Sequence, residues 1–456
     1  MRTLKNHKFE IILSLTTLGL LGAFFLGVSS LTTSRMGDTE SNSTQQAAAP
    51  SLPDRLSEGA QSLFANPSAL KMQGIAAYAD GNYADAIASL EAALDETPND
   101  PEAFIYLNNA RVGEQPAHTL AVIAPVGDTS EIGLEILRGA GHAQQGFNQA
   151  IGGDGVPIKI LIANDDNDPE IAKSVATELA KRSDVLGVLG HYSSGVTLAA
   201  APVYSQGKLP LVSAISTSVD LSGFSPYIFR TVPSDSFAAT ALARHMIEGL
   251  NAQKAVLYYD SNSAYSLSLK TEFTTSVFSD GGEVIMEYDL AEANINATRQ
   301  IASAKAQGAD VVMLAASTGT RETALAVMAA VNQELPLLGG DDLYHPQVLE
   351  TGGTDAEGLI VAVPWHVLSD PNSEFVAEAS QLWGGDVSWR SAMAYDAIAS
   401  LSAAIAETPS REGIRNALQR ANFSAAGATG EVRFLPSGDR NRATQLVQVQ
   451  PGNRSG

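Results

Sequence analysis

The sequence predicts an α/β protein of two doubly wound lobes, preceded by a short all-α segment and an N-terminal hydrophobic helix. Three observations predict it. From about residue 118 onward, short apolar runs alternate with helical patterns, as in parallel sheets covered by helices on both faces. The alternation comes as two series separated by Phe229-Arg230-Thr231-Val232-Pro233-Ser234-Asp235. A length of 456 residues with 45% apolar content is enough for several domains with sizeable cores.

The elements follow in order. Residues 11–28 hold 18 uncharged positions. As a helix they reach roughly 27 Å, close to the ~30 Å hydrocarbon core of a bilayer. The run is an export signal or a membrane anchor, and its length favours the anchor. Arg2, Lys5 and Lys8 precede it, which predicts a cytoplasmic N-terminus with everything beyond Arg35 exported. The predicted location is periplasmic, tethered to the inner membrane through residues 11–28. Val28-Ser29-Ser30 offers small residues for cleavage, but no Ala-x-Ala site stands there. Residues 31–66, rich in Ser, Thr, Gln, Ala and Pro without an apolar period, read as a flexible linker.

Leu70, Gly74, Gly81, Tyr83, Ala86, Leu90, Ala93 and Pro98 then fall at the offsets of a helical hairpin repeat of about 34 residues. On these residues, the stretch 67–113 resembles a tetratricopeptide repeat. Gly74, Ala86 and Ala93 let two antiparallel helices approach closely, and Pro98 closes the second. A second unit begins at Pro101, with Phe104 and Leu107 in register, and stops near Arg111. One repeat cannot bury its own apolar face. It therefore packs on the next domain or meets a protein partner, and packing is the expectation because a binding array normally needs three repeats.

The first lobe's candidate strands lie at 120–124, 158–163, 185–189 and 209–212, with helical patterns at 132–150, 169–182 and 194–206. The second lobe's strands lie near 254–259, 283–288, 310–314 and 336–338. In the connecting segment Pro233 ends a strand, and Ser234 or Asp235 can cap the next helix.

Two hydroxyl-bearing turns in the first lobe, His191-Tyr192-Ser193-Ser194-Gly195 and Ser213-Ala214-Ile215-Ser216-Thr217-Ser218, start 22 residues apart. Each follows an apolar run and precedes a helical pattern. Hydroxyls and free N–H groups at two neighbouring helix N-termini would cradle a carboxylate or another small anion, though Ser and Thr are also ordinary cap residues.

Charge and motifs exclude several functions. The net charge is -22, and the first 30 residues are themselves basic, so no nucleic-acid footprint exists and the main body is a poor membrane adhesive. Without cysteine there are no disulfides, thiolate metal sites, cysteine nucleophiles or lipidated cysteines. The seven histidines show no metal-ligand spacing, and His191 and His345 read as loop or packing residues. Asp165, Asp166 and Asp168 lack the Gly and distal Glu of a calcium loop and read as a strand-end turn. Gly339-Gly340-Asp341-Asp342-Leu343 looks like a cyclic-dinucleotide synthase signature only superficially, because it follows a buried strand of the second lobe. No Walker loop, Gly-x-Ser-x-Gly elbow or catalytic carboxylate pair emerges, so no enzyme, cofactor or metal is expected.

Seven segments in order carry a resemblance. They are LAVIAPVGD with GLEILRGA at 120–140, NDDNDP at 164–169, VLGHYSSGVT at 188–197, LPLVSAISTS at 209–218, FRTVPSD at 229–235, AYDAI at 394–398 and GEVRFLPSGD at 430–439. From His118 to about Gln450 the chain resembles the periplasmic Leu/Ile/Val-binding protein family of ABC importers. The resemblance implies the type I periplasmic binding fold: two Rossmann-like lobes joined by three crossings, one at about 118–233 and 364–426, the other at about 234–363 and 427–456. A ligand closes between them, outside the carboxyl ends of the strands.

By the same resemblance, Ser194 and Thr217 contact a ligand carboxylate and the Ile215 carbonyl receives its ammonium. Ser317 and Asp341 contribute from the second lobe, with Asp341 pairing the ammonium, Asp342 as the adjacent fallback, and Tyr265 lying over the ligand. A zwitterion needs both ends paired, since an unpaired charge removed from water is costly. The loop 127–133 is shorter than in the family, and Ile132 stands where an aromatic is common. Tyr192, Ile132 and Trp365 are candidates for the side-chain pocket. The implied function is capture of a small amino acid, of the branched-chain type, or a related amide, for an ABC permease. The competing reading is an envelope scaffold like the activators of penicillin-binding proteins, or a ligand sensor for a partner receptor.

Overall fold

The computed structural model describes residues 51–452 apart from 128, 153 and 154. The run 11–28 and residues 31–50 of the expected linker lie outside the described residues. Among the described residues, no helix is long and apolar enough to cross a membrane.

The chain enters through a two-residue strand, β1 (Leu56–Ser57), and three helices, α1 (Ala69–Ala79), α2 (Tyr83–Glu96) and α3 (Pro101–Val112). The first lobe continues with β2 (His118–Ile123), α4 (Ser130–Ala150), β3 (Ile158–Ala163), α5 (Pro169–Lys181), β4 (Val185–Leu189), α6 (Ser194–Gln206), β5 (Leu211–Ser213) and β6 (Ile228–Arg230). The second lobe holds α7 (Asp235–Arg244), β7 (Lys254–Tyr259), α8 (Ala264–Ser279), β8 (Glu283–Asp289), α9 (Ala297–Ala306), β9 (Val311–Ala315), α10 (Arg321–Val331), β10 (Leu337–Gly339), α11 (Pro346–Gly352) and β11 (Ile360–Val363). Then come α12 (Glu374–Trp383), α13 (Trp389–Glu407), α14 (Arg411–Leu418), the hairpin β12 (Ala425–Gly427) and β13 (Gly430–Val432), and β14 (Gln445–Gln448).

Each lobe is built on a six-stranded sheet, ordered β1-β3-β2-β4-β5-β6 in the first and β14-β11-β10-β9-β7-β8 in the second. All pairings are parallel except the edge strands β1 and β14, which run antiparallel to β3 and β11. Along β2, Leu120 and Val122 face one core and Ala121 and Ile123 the other. Both faces are covered, which is why these strands read as unbroken apolar runs. Helix α13 returns to the first lobe and lies against α4, so close that a Cβ on Gly139 would stand 2.0 Å from the Ser391 carbonyl oxygen.

Three expectations need correction. Residues 51–66 are part of the first lobe, not a flexible linker. β1 extends its sheet, Arg55 pairs with Asp166 at 2.7 Å, and the Leu63 amide and Ser62 hydroxyl both bond the buried Glu102 carboxylate. Polar composition concealed this, because the ordering bonds are made to residues far along the chain. The second hydroxyl turn opens only a three-residue 3-10 turn, Val219–Leu221, and not a helix N-terminus.

The last crossing, third of the corrections, does not begin at 427. Residues 427–440 stay with the first lobe, where β13 pairs with β12, the Arg230 amide bonds the Gly438 carbonyl at 3.0 Å, and Arg440 pairs with Asp396 at 3.2 Å. The chain therefore crosses at 231–234, 364–373 and 441–444.

The helical segment packs on the first lobe through α3. The Asn109 amide donates to the Ile160 carbonyl at 2.8 Å and accepts from the Ile160 amide at 3.0 Å. Lys71 of α1 is buried between Asp100 and Glu102 at 2.8 and 2.7 Å.

Candidate functional site

The carboxyl ends of both sheets face one cleft of about 290 Å3. All six sequence-derived site residues, Ser194, Ile215, Thr217, Tyr265, Ser317 and Asp341, line it.

On the first-lobe wall, α6 begins at Ser194. Ser193 occupies the cap position, but its side chain makes no cap bond. The first-turn amides of Ser194, Gly195 and Val196 have no carbonyl one turn earlier to pair with, and they form part of the wall. With the partial positive charge of a helix N-terminus, this turn suits an anion. The second turn is tied to the first: Ser216 Oγ donates to the Tyr192 carbonyl at 3.1 Å, and Ser194 Oγ accepts from the Ser218 amide at 3.2 Å. Thr217 Oγ1 is buried on the same wall, beside the Asp235 carboxyl.

The second-lobe wall is acidic. Asp260 follows β7 and accepts the Ser317 hydroxyl at 2.5 Å, so the Ser317 proton is already committed. Tyr265 lies in the first turn of α8, its hydroxyl buried beside the Asp341 carboxyl. A Cβ on Gly340 would stand 2.1 Å from that hydroxyl, so glycine is what lets Tyr265 lie against the Asp341 turn. Burial pushes the Asp341 carboxyl up to about 7; Asp342 and Asp235 add to the rise, while the Tyr265 hydroxyl and Arg390 oppose it. Burial also pushes Asp235 up to about 6, against Ser268, Thr217 and Arg230.

A polar network joins the walls. The Tyr192 hydroxyl, from the first lobe, bonds the Thr318 hydroxyl and Asp342 Oδ1 (3.3 Å) of the second. Arg390, at the start of α13, has a terminal nitrogen 3.9 Å from Asp342 and another 3.6 Å from Glu135, and donates to the Tyr344 carbonyl at 3.2 Å. Its neighbour Trp389 lines the cleft with it.

Sequence reasoning missed Asp260, Thr318, Trp389 and Arg390. Asp260 had a usable signal, a carboxylate directly after a strand at the end where ligands bind. Trp389 and Arg390 had none, because only the return of α13 brings them to the cleft. Of the three side-chain pocket candidates, Tyr192 lines the cleft, whereas Ile132, in the first turn of α4, points into the core and Trp365 packs on Phe375 with ring centroids 6.0 Å apart.

Several motif residues hold structure instead. His191 is buried, with Nδ1 2.6 Å from Asp165 and Nε2 3.0 Å from the Tyr204 hydroxyl. Asp168 caps α5 through the Glu170 and Ile171 amides, and His345 caps α11. Asp396 of AYDAI accepts Thr429 Oγ1 at 2.5 Å and Arg440, and Arg230 of FRTVPSD pairs with Asp439 of GEVRFLPSGD at 2.6 Å.

Donors on one wall and carboxylates on the other suit the holding of a small dipolar solute. Residues 119–455 match the family described as "Periplasmic binding protein". The chain belongs to that family. Among curated relatives of this periplasmic binding protein, Leu/Ile/Val-binding protein homolog 3 of Brucella melitensis biotype 1 is 24% identical over 245 residues, 53% of this chain and 66% of that protein. The chain thus spans just under two thirds of that relative's length. "Amino acid binding protein" of Pseudomonas aeruginosa is 25% identical over 293 residues, 61% and 75% of the two chains.

Among solved structures, a leucine binding protein from Thermotoga maritima MSB8 has a TM-score of 0.64 at 23% identity, covering 73% of this chain and 96% of that one. The branched-chain amino acid transporter substrate binding protein of Streptococcus pneumoniae, in complex with isoleucine, has a TM-score of 0.67 at 20% identity, covering 75% and 98%. These likenesses show that the periplasmic binding protein has the type I fold.

Proposed function

We propose that this chain is an exported substrate-binding protein that captures a small amino acid, of the branched-chain type, or a related amide between its lobes and delivers it to an ABC permease. One observation carries the reading: oriented donors at the α6 N-terminus and the buried Asp341 carboxyl face the same cleft from opposite lobes. A ligand carboxylate sits against the α6 turn and Thr217. Its ammonium lies between the Ile215 carbonyl and Asp341, under Tyr265, and Ser317 holds Asp260 in place beside it. The names of the Brucella relatives and the isoleucine-bound structure support the amino-acid class.

Residues 11–28 tether the protein to the inner membrane, outside which it works. The α1–α2 hairpin is a tetratricopeptide-like unit, and α3 continues it onto the first lobe. The face of the hairpin turned away from that lobe is the place for a protein partner.

Calorimetry on the full chain, unfolded and refolded to strip copurified ligand, against an amino-acid and amide panel tests the reading. At a ligand concentration 100 times Kd, one-site binding adds about 2.7 kcal/mol of stability. No binding by any panel member, with the refolded protein melting normally, overturns it.

A further inference from the structure

Helix α8 keeps one face free of charge and open to solvent. Leu267, Thr271, Thr274, Thr275 and Phe278 fall within a stripe about 100° wide, opposite Leu269, Phe273 and Val277, which pack into the core of the second lobe. Phe278 is 78% exposed, the most exposed large apolar side chain among the described residues, and Leu267 is 40% exposed. The three threonines have spent their hydroxyl protons within the helix, on the carbonyls of Leu267, Lys270 and Thr271 at 2.8, 2.9 and 2.8 Å. Lys270, on the flank of the stripe, pairs with Glu287 at 2.6 Å and lies over the Tyr259 ring. The face therefore offers hydrocarbon, with no charge and no free donor.

Spacing and charge indicate what covers it. Leu267 and Phe278 stand 11 residues apart, about 16 Å along the helix. When two copies of α8 lie antiparallel about a two-fold axis beside Glu272 and Phe273, Leu267 of each copy meets Phe278 of the other, and Thr271 meets Thr274. The stripe is thus its own complement, as a two-fold contact requires. Antiparallel helices also set the positive N-terminal end of one against the negative C-terminal end of the other. The chain carries a net charge of -22, so copies repel wherever charged surfaces meet, and an uncharged face is where they approach at least cost. A single helix pair lies at the small end of specific interfaces, below about 1,200 Å2 of total buried area, which makes the association weak and concentration-dependent.

We propose that the exposed face of α8 is a homodimer contact, through which two copies of this chain join by their second lobes. The pairing fixes the two second lobes to each other and leaves both first lobes free to open and close. It does not depend on which ligand the cleft takes.

Sedimentation velocity on the full chain, from about 1 μM to about 1 mM, tests it. The average mass should climb from monomer toward dimer across that range. The dissociation constant should fall as NaCl rises from about 0.05 to about 0.5 M, because salt screens the repulsion between acidic copies. Phe278→Asp should raise the dissociation constant at least about tenfold, since the contact buries this ring twice. Leu267→Asp should act in the same direction. Leu349→Asp, at a position 56% exposed on α11, is the control and should leave association unchanged. A chain that stays monomeric at every concentration overturns the proposal and leaves the face to a different partner, such as an apolar surface of the permease. A dimer that survives Phe278→Asp, or one that Leu349→Asp weakens equally, also overturns it.

Discussion

In the proposed site, Asp341 ties affinity to pH through its own proton. In the unliganded protein its carboxyl stands at about 7, well above the ordinary carboxylate range, because it is buried. An ammonium ligand needs the ionised form, so binding is opposed by proton uptake as the pH falls through 7. The Kd should rise by up to about tenfold per pH unit below that point. Asp341→Asn should flatten this profile and weaken binding at pH 8 roughly 10- to 100-fold, the range for a hydrogen bond to a charged partner. Calorimetry from pH 5.5 to 8.5 measures both. The stability term has the opposite sense. Folding raises this carboxyl above its unfolded value, so its contribution is fully present below about pH 4 and is lost as the pH rises through 7. Without ligand, Asp341→Asn should therefore melt above the wild type at pH 8.

At the same scale, Thr217→Val removes a hydroxyl that lines the cleft and also supports the buried Asp235 carboxyl. Binding should weaken by roughly 3- to 10-fold, the worth of a neutral hydrogen bond, and the unliganded protein should melt somewhat lower above pH 6, where the ionised Asp235 carboxylate loses this support. An unaltered Kd in both variants would remove these residues from the site. The six cleft residues were legible through the family resemblance of the segments around them, and each stands in or beside a turn that follows a strand. Trp389 and Arg390 were not, since a residue on a helix that returns from the other lobe carries no local mark of the cleft it borders.

At the scale of elements, the interior strands were the most readable. β3, β4 and β7 fall at the expected 158–163, 185–189 and 254–259 because apolar runs buried on both faces end abruptly at turns. β1 and β14 escaped notice, the first for its two-residue length and the second for its alternation of partly buried and exposed positions at a sheet edge. The shortness of β1 explains the role of α3. β1 pairs with β3 only at Ala163 and Ile162, and the chain then turns away at Gly59, whose φ is 136°. The Ile160 amide and carbonyl, two residues back along the same edge, would be left unpaired, and the Asn109 side chain takes both. It also donates to the Glu58 carbonyl at 2.8 Å. Asn109→Leu should strand these groups and destabilise the protein by about 2–4 kcal/mol, since each unsatisfied buried group costs about 1–3 kcal/mol. Urea unfolding measures the loss; a change below about 1 kcal/mol would mean that α3 merely rests on the sheet.

At the scale of the molecule, the attachments are unequal. Residues 51–113 are fastened to the first lobe, and α12 to α14 with the β12–β13 hairpin return to it, braced by Arg230–Asp439 and Arg440–Asp396. Any tether at the N-terminus therefore holds the first lobe and leaves the second to close. The Tyr192 hydroxyl spans the cleft to Thr318 and Asp342 and acts as a latch on the closed form. Tyr192→Phe keeps the ring on the cleft wall and removes the latch. A hydrogen bond to a carboxylate contributes about 1.5–3 kcal/mol, so the ratio of closed to open molecules should fall roughly 10- to 100-fold. The unliganded variant should show a larger radius of gyration in solution scattering than the wild type, and saturating ligand should bring the two together. Its apparent affinity should drop by no more than the lost closed fraction, because ligand binding then has to do the closing that the hydroxyl did before. Identical scattering from the two unliganded proteins would mean that the lobes are held together by something other than this bond.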